Sequence, residues 1–141
     1  MRPFLLVVVW LVSFSAIAQV QTNAEEAFKL SAETKKPVLL IFAGSDWCAP
    51  CIRFEKKVLH ENTFLTFASE NLVVLKADFP QREKLPPAVE QQNEKLAERY
   101  NPTGIFPSFL LLNVDGTVRS TVIYKNQSAV EFTSEIKNLL Q

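Results

Sequence analysis

Val38-Leu39-Leu40-Ile41-Phe42-Ala43-Gly44-Ser45-Asp46-Trp47-Cys48-Ala49-Pro50-Cys51 is the stretch on which the reading of this 141-residue chain turns. Val38 to Ala43 is apolar without alternation, the pattern of a central strand covered on both faces by helices. Gly44-Ser45-Asp46-Trp47 turns the chain. From Cys48 onward the sequence reads as a helix, with Pro50 in its first turn, where no backbone donor is required. A Cys-x-x-Cys that opens a helix sets two sulfurs one turn apart, close enough to exchange a disulfide internally and with a partner protein. These are the chain's only cysteines, 2 in all. Their ring is too small to brace distant elements, so the pair is poor as a staple and suited to act as a reagent.

The chain upstream fixes the expected compartment. Arg2, the apolar run Phe4 to Val12 and the small-x-small ending Ala16-Ile17-Ala18 form an export signal over residues 1–18, cut before Gln19. The run falls short of the roughly 20 apolar residues of a membrane span, which makes an uncleaved anchor the lesser reading. Residues 19–141 are then one domain with enough chain for a single core. The 15 Lys+Arg balance 15 Asp+Glu, so nothing resembles a nucleic-acid surface.

Further along, Asn23 with Glu26 is a capping-box start for a helix to about Lys35, with Ala24, Ala27, Phe28 and Ala32 as its apolar face, and Pro37 stops it. Ile52, Phe54, Val58 and Leu59 give the helix after Cys48 its apolar contacts. Thr63 to Asn71 reads as a short helix and Leu72 to Ala77 as a second buried strand. Phe79 to Pro87 is loop, and Ala88 to Tyr100 a polar helix resting on Val89, Leu96, Ala97 and Tyr100, with Glu90, Gln91, Gln92, Glu94 and Lys95 as a solvated face. Ser108 to Leu112, the Asp115-Gly116 turn and the segment from Val118 to Tyr124 predict an antiparallel hairpin. Ser128 with Glu131 is a second capping box, opening a terminal helix that buries Val130, Phe132, Ile136, Leu139 and Leu140.

This order of elements, with Trp47-Cys48-Ala49-Pro50-Cys51 between the first strand and its helix, resembles the thioredoxin superfamily over residues 24–141. Gly104-Ile105-Phe106-Pro107-Ser108-Phe109 resembles that family's cis-proline loop, and the Asp115-Gly116 hairpin matches as well. The resemblance is strongest to exported thioredoxin-like proteins with a Gly-Ser-Asp-Trp-Cys approach and an Asp-Phe-Pro insertion, here Asp78-Phe79-Pro80. It implies an α/β thioredoxin fold, a central mixed four-stranded sheet flanked by helices, with an inserted loop and helix around 79–100. It also implies a thiol-disulfide oxidoreductase that works as a monomer without cofactor or metal.

The resemblance carries roles to particular residues. Cys48, expected to face solvent at the helix start, is the attacking nucleophile, its thiolate favoured by the helix N-terminus. Cys51, more covered, resolves the mixed disulfide. Pro107 is the cis-proline beside the dithiol, Phe106 offers its backbone to an extended substrate and narrows the choice by its bulk, and Trp47 flanks the sulfurs. The plainer alternatives make Pro107 a trans strand-starter and Trp47 a core aromatic. Asp46 is either a proton shuttle or a surface cap.

Many thioredoxins bury an acid before the dithiol and pair it with a lysine on the neighbouring strand. The matching places here, Ile41 or Phe42 and Val74, are apolar, which predicts a slow resolving step. Ala49-Pro50 resembles the Gly-Pro of reducing members, and this favours a reductase of exported proteins that is recharged by a membrane-borne electron donor. Disulfide oxidase, isomerase and a non-catalytic binding module stand as alternatives. A structural zinc site needs four ligands, and beyond the two sulfurs only His60 and carboxylates are available.

Overall fold

The computed structural model describes residues 18–141; the export signal read over 1–18 therefore lies outside the described residues, save Ala18. Val38–Ala43, expected as the central strand, is buried at every residue and is the middle of a sheet. It is β2, following β1 (Val20–Gln21) and α1 (Ala24–Thr34). After it come α2 (Ala49–Phe54), α3 (Asn62–Asn71), β3 (Val73–Asp78), α4 (Pro87–Tyr100), β4 (Ser108–Leu112), β5 (Val118–Val122) and α5 (Ala129–Leu140). The sheet order is β1-β3-β2-β4-β5, with β1, β3 and β2 parallel and β4 and β5 antiparallel. The expected four-stranded sheet thus gains a fifth member, β1, whose Val20 and Gln21 pair with Val74 and Leu75.

Alternation along the central strands divides the core in two. Leu39, Ile41, Phe109 and Leu111 face the side covered by α2, α3 and α5, while Val38, Leu40, Phe42, Leu110 and Leu112 face α1 and α4. Of the two expected capping boxes, Ser128 and Glu131 form theirs reciprocally on α5, whereas at α1 only one half is made, Asn23 accepting the Glu26 N–H; Lys35 closes α1 in the left-handed region at φ 60°.

Several side chains lie elsewhere than expected. Ala32 is exposed and Ser31 buried, its hydroxyl donating to the Lys36 carbonyl at 2.5 Å. Val130 is 60% exposed, because α5 meets the sheet through Phe132 and Ile136. On α4, Gln92 is a tie rather than a solvated residue: it accepts the Ala24 N–H at 2.8 Å and donates to the Thr22 carbonyl at 2.9 Å.

Candidate active site

The carboxyl ends of β2 and β3 and the loop before β4 meet at one edge of the sheet, and the singled-out residues meet there. Gly44 O accepts N–H bonds from Trp47 at 3.3 Å and from Cys48 at 2.9 Å, closing the turn that delivers Cys48 to the start of α2. Cys48 is the N-cap residue, and its Sγ accepts the Cys51 N–H at 3.3 Å. The two cysteines are joined in a disulfide, with Cα atoms 5.2 Å apart. Pro50 lies in the first turn of α2, where its missing N–H leaves no bond unmade. Cys48 was expected to face solvent, and it does not: it is 4% exposed and Cys51 3%. The reason is local, since the Cys48 sulfur is turned inward to serve both as cap acceptor and as disulfide partner.

Trp47, 40% exposed, is held from outside the dithiol helix. Its indole N–H donates to the Phe79 carbonyl at 2.7 Å, and its ring lies so close over Gly44 that a Cβ there would collide with it. The Phe106–Pro107 peptide bond is cis. Phe106 meets Trp47 edge-on at 5.4 Å between ring centroids and Phe79 edge-on at 5.4 Å, so three loops share one aromatic contact. The loop before Pro107 is shaped by buried Asn101, which donates to the Ile105 carbonyl at 2.8 Å and accepts the Ile105 N–H at 3.0 Å.

Charged groups near this edge were not resolved by sequence reasoning. Asp78 takes the Ser45 N–H at 2.9 Å and the Ser45 hydroxyl at 2.5 Å. Asp46 accepts three backbone N–H groups, from Gln81, Arg82 and Glu83, at 2.8, 2.7 and 3.3 Å. These bonds, the Gln81 one foremost, together with the Arg82 charge hold its carboxyl below the usual aspartate range, and both its oxygens are committed to the 81–83 backbone. Asn93, buried on α4, donates to the Asp78 carbonyl at 2.9 Å. The Asp78-Phe79-Pro80 signature and the Asn101-Pro102-Thr103-Gly104 turn were the signals available for these roles.

Ile41 and Phe42, where the resemblance puts a buried acid, are at most 1% exposed, but the expected apolar partner on the neighbouring strand is corrected by the register: Ile41 pairs with Lys76 of β3 and Val74 with Leu39, so a lysine does stand beside Ile41. Past Cys51, α2 continues into a π-helical turn over Glu55–Leu59. Glu55 there pairs with Lys76 of β3 at 3.0 Å and meets exposed His60 at 3.4 Å. Among the described residues no group of three or more His, Cys, Asp or Glu could hold a metal ion.

The sequence model of the Thioredoxin-like family matches residues 19–114. The chain belongs to the thioredoxin-like family. Within it, the chain is 31% identical over 116 residues to "Disulfide bond reductase DsbH" of Chlamydia pneumoniae, covering 82% of this chain and 69% of that protein. It is 29% identical over 89 residues to "Thioredoxin-related protein DsbJ" of Chlamydia pneumoniae, covering 63% of this chain but only 25% of that protein. A solved structure of a DsbH oxidoreductase superposes with a TM-score of 0.81 at 28% identity, over 89% of this chain and 86% of that one. With its paired cysteines, this thioredoxin-like chain is a thiol-disulfide oxidoreductase.

Proposed function

We propose that this protein reduces disulfides of exported proteins through Cys48 and Cys51, after cleavage of a signal over residues 1–18 frees the domain 19–141. The observation that carries the reading is the Cys48 sulfur at the head of α2, with the Cys51 N–H directed at it and Phe106 packed against the preceding Trp47. In the reduced protein that N–H and the helix N-terminus favour the Cys48 thiolate. The thiolate attacks one sulfur of a substrate disulfide, forming a mixed disulfide and releasing the other sulfur as a thiolate. Cys51, deprotonated, then attacks Cys48 Sγ, and the substrate leaves with both its sulfurs reduced. Two electrons have passed to the substrate and the Cys48–Cys51 disulfide remains, so a dithiol donor must return them; in an oxidising compartment that donor is membrane-borne.

Support for the reducing direction comes from Ala49-Pro50 between the cysteines and from the kinship with a protein named a disulfide bond reductase. Phe106 and Pro107 receive the substrate chain in extended form, and Trp47 borders it. Measurement of the reduction potential tests the direction. A value near about −270 mV marks a donor of electrons, whereas one near about −120 mV makes the protein a disulfide donor and overturns the proposal.

A further inference from the structure

Ser45, Asp46 and Trp47, the three residues immediately before Cys48, are each bonded to the segment 78–83: Ser45 to Asp78, Asp46 to Gln81, Arg82 and Glu83, and Trp47 to Phe79. The Asp46 bonds are of a distinct kind. Consecutive backbone N–H groups converging on one carboxylate form an anion-binding nest, here filled by the chain's own side chain. Bonds to an ionised acceptor are about twice as strong as those between neutral groups. The segment so held carries Phe79, which together with Trp47 makes edge contacts to Phe106. Trp47 is 40% exposed, and Ile105, the chain neighbour of Phe106, is 61% exposed.

We propose that Asp46 is a positioning residue: it locks the inserted segment against the approach to Cys48, so that Trp47, Phe79 and Phe106 stand as a fixed aromatic wall selecting disulfides flanked by apolar residues on extended chains. The inference rests on the exchange chemistry proposed above and adds its specificity. A small, anionic disulfide such as oxidised glutathione has little apolar surface to lay on such a wall and gains little from its being fixed.

The test compares the full chain with its Asp46→Ala and Asp46→Asn variants, all carrying Trp10→Phe so that Trp47 is the sole indole. Each is assayed on a peptide disulfide flanked by leucines and on oxidised glutathione. In Asp46→Ala we expect kcat/KM for the peptide to fall about tenfold, mainly through KM, a size in keeping with the penalty for misplaced binding groups. Turnover of glutathione and the reduction potential stay unchanged, and Trp47 emission shifts to the red. Asp46→Asn keeps one acceptor oxygen and falls between the two. Equal losses on both substrates, or none on either, overturn the proposal, as does failure of both variants to fold, which would make Asp46 a folding residue only. Absence of exchange by the parent chain on both substrates defeats the underlying function instead.

Discussion

On the face of the sheet that carries α2 and α5, Phe54 packs on Phe109, Tyr124 and Phe132 at centroid distances of 4.5, 5.1 and 5.0 Å. The face that carries α1 and α4 has its own apolar cluster, with Ala27, Phe42, Leu75 and Leu96 in it, and adds single amides as joints: Gln92 ties α4 to the residues before α1, and Asn93 ties it to the end of β3. Close packing spreads its energy over many contacts, each small, so that face is stiff and indifferent to direction. A buried amide concentrates its energy in one bond with a fixed direction. The dithiol helix stands on the first kind of foundation, and the segment that leads into the aromatic wall hangs on the second. The surface beside the dithiol can therefore be altered one bond at a time, through the ties that Ser45, Asp46 and Trp47 make to the segment 78–83.

Breaking the stiff face gives the largest effect. Phe54→Ala is expected to cost about 3–5 kcal/mol in chemical denaturation, since a buried ring that meets three other aromatics leaves a cavity they cannot fill. Asn93→Ala should cost less, about 1–3 kcal/mol, by leaving the Asp78 carbonyl without its partner. Its mark is a change in thiol-exchange specificity at an unchanged reduction potential; a shift in potential would show that the Asn93 tie reaches the dithiol itself. Glu55→Gln sits at the junction, where α2 meets β3. Loss of the half-buried Lys76 pair should destabilise by about 1 kcal/mol, read as a lower denaturation midpoint.

The smallest effect is the acid response. Asp46, Asp115 and Glu131 have carboxyls held below their ordinary range by hydrogen bonds from Gln81, Thr117 and Ser128 respectively. A folded pKa below the unfolded one gives stability that is present above the unfolded value and lost as pH falls through the folded one. Stability should thus fall off below about pH 4, with Asp46→Ala flattening part of the slope. A slope unaltered by that substitution would remove Asp46 from the account.

The stiff face was the more legible of the two in the sequence. Val38–Ala43 and the Ser128 box appear at their expected positions because continuous apolar runs and caps are local signals. A strand as short as Val20–Gln21 carries no period, so β1 was invisible. Helical spacing placed Val130 and Ala32 on an apolar stripe, yet which flank of that stripe meets the sheet is decided by the crossing of helix and sheet. The burial of Cys48 follows from where its sulfur turns, which no spacing records. Asp46 was the hardest to read, because the first of its acceptor bonds reaches 35 positions along the chain. The dithiol itself was plain because its chemistry needs two residues one turn apart.

A last consequence lies at the rims of the sheet. Leu111 pairs with Ser120 and Leu112 with Val118, so Arg119 is a bulged extra residue on β5, and its guanidinium reaches the Leu140 carbonyl at 3.0 Å at the end of α5. At the opposite rim β1 covers Val74 and Leu75 of β3, and the β3 edge beyond it is the short run Lys76–Asp78. Neither offers the long, flat, hydrogen-bonding border on which foreign strands stack into aggregates. Both rims are in this way guarded against recruitment into deposits of other chains.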